Sequence, residues 1–197
     1  MINRLRAHKR SKGASLRHRS ILHLGCGTRK APGSIGIDVN PRSGADVIHD
    51  LNRFPYPFPD NRFDRVIADN ILEHLDDIPK VMEEIFRITK HGTLVKITTG
   101  HFTSVDSFTD PTHTHFFTSR TFDYFIPGTD LYKYRYSPAT FRKLKVCVGP
   151  TNPTNPFLKF LLKLMNRHLI LYEKRFAFIF PVGVITYELE VIKKQGR

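Results

Sequence analysis

The segment that decides the fold is Ile21-Leu22-His23-Leu24-Gly25-Cys26-Gly27-Thr28, followed by Ile35-Gly36-Ile37-Asp38-Val39-Asn40. An apolar run leads into a pair of glycines, and a second apolar run ends in a carboxylate. Gly25 and Gly27 leave the main chain bare, so a ligand can approach where a side chain would block it. Asp38, at the end of the next strand, can accept hydrogen bonds from two ribose hydroxyls. The pattern predicts a site for a nucleoside-containing cofactor on a parallel sheet.

Two cofactors are compatible with a glycine pair followed by a carboxylate. A dinucleotide fingerprint, G-x-G-x-x-G/A, needs a third small residue so that a helix can point its N-terminus at a pyrophosphate. Lys30 stands at that position, and Asp38 follows too soon for a full helix to lie between the two strands. A cofactor without phosphates needs no such helix end. These departures favour S-adenosylmethionine over a dinucleotide.

The size and composition of the chain indicate one globular domain. The 197 residues are 40% hydrophobic and include 16 Phe, which is enough for a buried core. We expect a single domain over residues 20–197, preceded by a flexible basic tail at residues 1–19. No apolar run reaches the ~18 residues that a membrane-spanning helix needs, and two cysteines are too few for a disulfide framework. We therefore expect a cytoplasmic protein, with association to a membrane surface left open.

The net charge of +13 is unevenly distributed along the chain. Residues 38–130 are net acidic, whereas residues 1–37 and 131–197 are strongly basic. Basic flanks favour an anionic partner, either a nucleic acid or a membrane surface. A merely solvated surface explains the same charges equally well.

Alternating apolar runs and crossovers predict a parallel α/β sheet that ends in an antiparallel edge pair. A helix is predicted over residues 77–90, with Asp76 or Asp77 as its cap, Pro79 in its first turn and Gly92 at its end. Strands are predicted over residues 20–24, 34–39, 45–51, 63–70, 93–99, 143–148 and 185–192.

With these strands and acids placed, the chain resembles the class I S-adenosylmethionine-dependent methyltransferases, especially small methyltransferase-domain proteins associated with glycan or secondary-metabolite modification. The motifs that carry the resemblance are Leu24-Gly25-Cys26-Gly27, Gly36-Ile37-Asp38-Val39, Asp50-Leu51, Phe63-Asp64 through Asp69-Asn70, and Leu72-Glu73-His74. The resemblance implies a Rossmann-like fold with a seven-stranded, mostly parallel sheet, strand order 3-2-1-4-5-7-6 and an antiparallel last strand. Only Arg29 to Gly33 separates the glycine turn from the second strand, so the first crossover helix is expected to be reduced.

The resemblance also implies S-adenosylmethionine as the cofactor and a set of residues that bind it. The turn at Gly25, Cys26 and Gly27 would pack on the methionine moiety, and Asp38 would hold the ribose. The adenine would meet Val39, Asp50 and Leu51, and the place where donor meets acceptor would be lined by Asp69 and Asn70. Because the first helix is reduced, Arg29 or Lys30 is expected to contact the methionine carboxylate instead.

An insertion at about residues 150–180 separates the last two predicted strands. Residues 157–171 have the spacing of an amphipathic helix, with Lys159, Lys163 and Arg167 on one stripe. Such a helix can lie on an anionic membrane, or it can pack on the domain as a lid over the acceptor site. We favour the lid, because insertions between late strands lie near the catalytic edge of the sheet.

Histidines are the natural general bases for a hydroxyl acceptor near neutral pH. His113 and His115 lie in a polar loop expected to cover the acceptor site, His74 follows the fourth strand, and His101 follows the fifth. We take His113, His115 and His74 as the candidates. A metal site built from Asp110, His113 and His115 lacks a clear third ligand at matching spacing, so no metal is expected.

The acceptor is restricted mainly by the motifs that the chain lacks. No Asn/Asp-Pro-Pro-Tyr motif follows the fourth strand, which disfavours planar amino groups, and no Pro-Cys nucleophile is present, which disfavours cytosine C5. The sequence therefore favours methyl transfer to an oxygen or similar nucleophile of a small-molecule or glycan acceptor. Two alternatives stay open: an RNA methyltransferase that uses the basic flanks, and a non-catalytic cofactor-binding or membrane-surface adaptor.

Overall fold

A computed structural model describes residues 20–150 and 152–193 and contains one seven-stranded sheet. The strands are β1 Ile21–Leu24, β2 Ser34–Asp38, β3 Val47–Ile48, β4 Phe63–Asp69, β5 Thr89–Gly100, β6 Phe141–Val148 and β7 Val184–Val191. Their order is β3-β2-β1-β4-β5-β7-β6, and β7 runs antiparallel to both of its neighbours while the other pairs are parallel. The predicted order and the antiparallel last strand are confirmed. The predicted tail at residues 1–19 lies outside the described residues.

Within the described residues, four α-helices and three 3-10 helices accompany the sheet. The α-helices are α1 Ile78–Ile88, α2 Asp106–Thr109, α3 Pro156–Arg167 and α4 Leu169–Arg175, and the 3-10 helices are Leu72–His74, Thr121–Phe125 and Tyr132–Tyr134. The connection between β1 and β2 contains no helix, so the reduced first crossover is confirmed. The third predicted strand, residues 45–51, is correct only in part, because two of its residues form β3.

Helix α1 begins as predicted and ends earlier. The Asp77 carboxylate accepts a hydrogen bond from the Lys80 N–H at 3.0 Å and caps the first turn. The predicted end at Gly92 is wrong, because the Thr89 hydroxyl donates to the Ile85 carbonyl at 2.6 Å and the chain becomes extended at Thr89. Gly92 instead lies inside β5 at φ +76°.

One face of the sheet carries the hydrophobic core. Helix α1 buries one apolar stripe against that face, formed by Ile78, Val81, Met82, Ile85 and Ile88. Alternate residues of β4, β5 and β7 are fully buried in the same core, whereas the residues between them stay partly exposed. This alternation is typical of a sheet with one face buried in the core and one face accessible to solvent.

The insertion between β6 and β7 forms the two helices α3 and α4 rather than one continuous helix, with the break at His168. Asn166 fixes α3 to the sheet edge, because its amide accepts from the Val148 N–H at 2.7 Å and donates to the Val148 carbonyl at 3.0 Å. Glu173 fixes α4, since its carboxylate accepts from the Ser119 N–H and hydroxyl at 2.6 Å each. None of the helices in residues 20–150 and 152–193 has the length and apolar character needed to cross a membrane.

Candidate functional site

An open cleft of about 610 Å³ lies at the carboxyl ends of β1 and β4, on the solvent-accessible face of the sheet. The chain leaves β1 toward β2 on one side, while β4 flanks β1 on the other. Such a reversal of strand order opens a crevice in which α/β proteins bind ligands. We call it the glycine cleft, and its lining is His23, Gly25, Cys26, Gly27, Thr28, Arg29, Asp69, Asn70, Lys96, Thr98, Val184 and Thr186.

The turn after β1 needs glycine for two separate reasons. Gly25 and Gly27 have φ of +57° and +50°, a backbone region that other residues adopt at a cost. A Cβ atom on Gly25 would also lie 2.3 Å from the Ile71 side chain, whereas nothing stands within 4 Å of the corresponding position on Gly27. The turn is therefore fixed by backbone conformation and by packing against Ile71.

Asp38 supports this turn from the end of β2. One carboxylate oxygen accepts from the Gly27 N–H at 2.8 Å, and the other accepts from the Asn40 N–H at 2.8 Å. Asp38 does not line the glycine cleft itself, although each oxygen keeps a lone pair for a further donor. Its ribose-binding role stays a prediction.

The predicted adenine contacts lie outside the glycine cleft. Val39 is 63% exposed, and Leu51 is buried in the core, where its carbonyl accepts from the Tyr56 hydroxyl at 3.1 Å. Asp50 accepts from the Asn52 N–H and lies 3.5 Å from the Arg53 guanidinium. The roles of these three residues therefore stay predictions from the resemblance.

Asp69 and Asn70 do line the glycine cleft, as Gly25, Cys26 and Gly27 do. Asn70 has φ of +50°, and its N–H donates to the Thr98 carbonyl at 2.8 Å. The Asp69 Oδ1 atom is buried and has no hydrogen-bond partner within the described part of the chain. Because an unpaired buried carboxylate oxygen is costly, this atom is suited to accept from a ligand.

His23 lines the same cleft and was not predicted to do so. Its Nδ1 accepts from the Ala31 N–H at 3.0 Å, so the neutral ring carries its proton on Nε2. Burial lowers the pKa of His23, against the raising effect of Asp69 and Asp38. The signal in the sequence was a polar residue inside an apolar strand. Because side chains alternate between the two faces of a strand, His23 lies on the face opposite Leu22 and Leu24.

Lys30 and Arg29, the two basic residues after the turn, differ in whether they are free to contact a ligand. Lys30 forms an ion pair with Asp46, with Nζ 2.7 Å and 2.9 Å from the two carboxylate oxygens. Arg29 lines the glycine cleft instead. Of the two residues proposed to contact a carboxylate, Arg29 is therefore the better placed.

A second pocket of about 590 Å³ adjoins the glycine cleft, and Asn70 and Val184 line both. We call it the histidine pocket. Its other lining residues are Glu73, His74, Gly100, Asp106, Ser107, Asp110, His113, Pro150 and Gly183. Among the described residues between β6 and β7, only Pro150 and Gly183 line it. Helices α3 and α4 line neither cavity, so the favoured lid is not what the structure shows.

Hydrogen bonds define the protonation of the two pocket histidines. The Thr112 hydroxyl donates to Asp110 at 2.7 Å, so it must accept from His74 Nδ1–H, 2.8 Å away. His113 Nδ1 lies 3.3 Å from the Ser107 carbonyl, which can only accept. Both rings therefore carry their protons on Nδ1 when neutral, and the Nε2 lone pairs are left for a proton or a ligand. The two ring centroids are 4.6 Å apart.

The acid at the end of this chain of hydrogen bonds is held ionised. Hydrogen bonds from the Thr112 hydroxyl and N–H lower the pKa of Asp110, and His113 and His74 add to the effect. Asp110 is thus an anion at neutral pH and orients Thr112, which in turn orients His74.

Two of the four histidines considered from the sequence, His101 and His115, lie apart from the histidine pocket. His115 lines a separate cavity of about 220 Å³ together with Ile78 and Pro79, and its buried Nε2 has no partner in the described residues. His101 is fully buried, with Nδ1 2.7 Å from the Thr103 hydroxyl and Nε2 3.4 Å from Glu173. The structure thus brings together His74 and His113, and the role predicted for His115 remains a prediction.

Comparison with known proteins gives one family and many structures of the same fold. Residues 22–97 match the family described as "Methyltransferase domain". No curated protein matches the chain. Similar solved structures include a SAM-dependent methyltransferase from Archaeoglobus fulgidus, at 18% identity over 87% of this chain and 86% of that one, with a TM-score of 0.54.

Two further structures show the range of proteins with this fold. An S-adenosylmethionine-dependent methyltransferase from Mesorhizobium loti is 14% identical over 87% of this chain and 90% of that one, with a TM-score of 0.54. The [4+2]-cyclase SpnF is 16% identical over 89% and 76%, with a TM-score of 0.53. At such identities a structural likeness shows the fold alone.

The family match covers the glycine turn, Asp38, Asp69 and Asn70. Over these residues the chain is similar to methyltransferase domains, and S-adenosylmethionine is the cofactor that this similarity implies. Residues 22–97 are therefore similar to the methyltransferase-domain family, and the chain has the fold of the S-adenosylmethionine-dependent methyltransferases described above.

Proposed function

We propose that this protein transfers a methyl group to a hydroxyl oxygen of a small-molecule or glycan acceptor. The observation that carries the proposal is the junction of the glycine cleft and the histidine pocket at Asn70 and Val184. A donor in the first cavity and an acceptor in the second would meet at this junction. Holding two reactants in such a geometry supplies several kcal/mol of the barrier.

The residues of the glycine cleft fit S-adenosylmethionine. The bare backbone at Gly25 and Gly27 leaves room for the cofactor. The Asp69 Oδ1 atom is a buried acceptor without a hydrogen-bond partner among the described residues, so it can accept from the cofactor. The Arg29 guanidinium can pair with the carboxylate of the cofactor's methionine moiety. An ammonium group beside Asp69 would satisfy that buried oxygen. Bound S-adenosylmethionine supplies an electrophilic methyl group, and its sulfur keeps the electron pair of the broken carbon–sulfur bond.

The histidine pocket supplies the base that a hydroxyl acceptor needs. His74 and His113 each present an Nε2 lone pair, and either can take the hydroxyl proton as the acceptor oxygen forms its bond to the methyl carbon. The ionised Asp110 stabilises the resulting imidazolium of His74 through Thr112.

Labelled-methyl transfer from S-adenosylmethionine into fractionated cell extract tests the proposal. We expect label in a product from which mild base does not release methanol, as an ether but not an ester would behave. Label appearing only in RNA would replace the proposal with the RNA methyltransferase alternative. Cofactor binding by calorimetry without label in any fraction would favour the non-catalytic adaptor.

We also propose that the insertion contacts an anionic membrane surface. Apolar side chains of α3, α4 and the following turn stand in solvent, with Phe157 73%, Phe160 66% and Phe178 82% exposed. An apolar groove of about 310 Å³ between the two helices opens among them. A group of large apolar side chains exposed side by side is typical of interaction surfaces.

The charges beside this patch select the kind of surface. Lys159, Lys163, Arg167, Lys174 and Arg175 all lie on the exposed side of the two helices, whereas the acid Glu173 is tied to Ser119. Basic side chains around apolar ones favour anionic lipid over a neutral bilayer.

Vesicle flotation tests the membrane contact. The wild-type chain should float with phosphatidylserine-containing vesicles and stay behind with pure phosphatidylcholine. The Lys159→Glu, Lys163→Glu double variant and the Phe157→Ser, Phe160→Ser double variant should each lose flotation. A charge reversal far from the patch, Lys80→Glu, serves as the matched control. Equal flotation of all variants would overturn the contact.

A further inference from the structure

Three side chains of the histidine pocket form a cluster that the methyl-transfer proposal does not use as a unit. One ligand atom from each of Glu73, His74 and His113 lies within 4.8 Å of the other two. Glu73 and His74 come from the 3-10 helix after β4, and His113 comes from the loop after α2. Tertiary structure alone brings the loop residue to the other two.

Glu73 is the unusual member of the cluster. It is 4% exposed, and its Oε2 is buried with no hydrogen-bond partner among the residues that the structure describes. Burying a carboxylate without a partner is strongly unfavourable, so a compensating positive charge is expected at this position. The side chains nearest to it in the cluster are two imidazoles, which are good ligands for a cation.

The two histidines are oriented as metal ligands are. His74 donates Nδ1–H to Thr112, and His113 Nδ1 lies against the Ser107 carbonyl. Metal-binding histidines usually donate one ring N–H to a carbonyl or carboxylate in this way, which fixes the ring and leaves the other nitrogen to the ion. The Asp110–Thr112–His74 chain of hydrogen bonds provides such a second layer of support.

We infer that Glu73, His74 and His113 bind a divalent transition-metal ion, with Zn²⁺ as the ion that best suits the set. Two imidazoles and one carboxylate form a typical three-ligand zinc site that keeps a fourth position open. Zinc holds such ligand atoms ~3.4 Å apart, so small side-chain rotations close the set around the ion. This set shares only His113 with the Asp110, His113 and His115 combination considered from the sequence.

The open fourth position faces the histidine pocket, since all three residues line it. This step rests on the proposed function and changes one part of it: with His74 and His113 bound to the ion, the ion takes the place of the free histidine base. The ion would hold an oxygen of the acceptor and lower the pKa of its hydroxyl, so that the proton passes to water. The substrates that such a site takes are those with a hydroxyl beside a second oxygen, as sugars have.

Metal binding by the full chain tests the inference without any methyl transfer. After treatment with a chelator, Zn²⁺ alone is titrated by calorimetry, and Co²⁺ is added as a probe whose visible absorption reports tetrahedral coordination. We expect one site in the wild-type chain and at least a hundredfold loss of affinity in Glu73→Gln and in His113→Asn. The matched controls Glu83→Gln, at a half-buried position, and His91→Asn, at an exposed position, lie outside the pocket and should bind as the wild type does.

Thermal unfolding separates lost binding from lost folding. Zn²⁺ should raise the Tm of the wild-type chain and leave that of Glu73→Gln unchanged, because the variant is folded and lacks the charge. Absence of a single Zn²⁺ site in the wild type, or equal Zn²⁺ affinity in Glu73→Gln and His113→Asn, would overturn the inference. Methyl transfer by chelator-treated protein that binds no Zn²⁺ would overturn the metal site and leave the proposed function standing.

Discussion

The Asp38 carboxylate accepts a hydrogen bond from the Gly27 N–H at 2.8 Å and so ties the end of β2 to the turn after β1. Two segments eleven residues apart thereby form one rigid rim beside the glycine cleft. The same carboxylate holds Asn40 through its second oxygen. A residue expected to bind the cofactor thus also shapes the backbone that the cofactor meets.

Replacing Asp38 should weaken cofactor binding. Asp38→Ala removes an acceptor for the Gly27 N–H together with the predicted acceptor for the ribose. A charged hydrogen bond contributes about 1.5–3 kcal/mol, so calorimetry should show a Kd for S-adenosylmethionine about tenfold to a hundredfold higher. Asp76→Ala, at an exposed position that does not line the cleft, is the control. An unchanged Kd would remove Asp38 from the cofactor site.

Gly25 and Gly33 offer a matched pair for the role of the turn. Both have positive φ, but a Cβ would strike Ile71 only at Gly25 and would meet nothing at Gly33. Gly33→Ala should cost about 1–2 kcal/mol of unfolding free energy for its backbone alone. Gly25→Ala should cost about 1–3 kcal/mol more, because Ile71 must move.

Urea unfolding of both glycine variants measures this difference. Adding Ile71→Ala to Gly25→Ala should recover part of the extra loss, since the clash partner is then gone. Equal losses at the two glycines would show that packing against Ile71 does not constrain the turn.

The buried His23 should make stability depend on pH. Burial lowers its pKa below 6.5, so the unfolded chain binds a proton more readily than the folded chain as the pH falls through 6.5. The contribution of this residue is therefore present above pH 6.5 and is lost progressively below it. Urea unfolding at pH 7.5 and 5.5 should show a smaller drop in unfolding free energy for His23→Gln than for the wild type. His91→Gln, at an exposed position, should keep the wild-type drop.

The Thr112 hydroxyl should tune His74 without touching the cofactor. Thr112→Val breaks the connection from Asp110 to His74, so the imidazolium of His74 loses support. We expect a lower kcat and a shift in the pH profile of kcat, with the Kd for S-adenosylmethionine unchanged. Thr109→Val, which removes an exposed hydroxyl on α2, is the comparison. An identical pH profile in both variants would exclude the relay.

The histidines themselves should affect turnover more than cofactor binding. His74→Asn and His113→Asn each remove an Nε2 lone pair from the histidine pocket, and loss of a general base typically costs about 10²–10⁴ in rate. Single-turnover transfer and calorimetry on the same samples distinguish the two effects. Wild-type rates in both variants would remove the proposed base and would leave the cofactor site unaffected.

The sequence by itself determined where most of the strands and the glycine turn lie along the chain, whereas the order of the strands was predicted from the resemblance to the class I methyltransferases. Apolar runs that end in Gly25, Asp38 and Asp69 follow from local periodicity and backbone preference, and parallel strands place their carboxyl ends at one edge. The start of α1 was equally local, because Asp77 and Pro79 act within one turn. Its end was not, since Thr89 had to leave the helix to pair with Phe63 in β4.

Only the tertiary structure decided which polar side chains meet. His74 and His113 are separated by 38 intervening residues, and no local pattern shows that their rings lie in contact or that the buried Glu73 stands beside them. His115 differs from His113 by two positions and faces another cavity. The reason is physical: periodicity fixes which side of a strand or helix a residue occupies, whereas the path of a loop is set by its long-range hydrogen bonds, here from Thr114 to the Glu73 carbonyl.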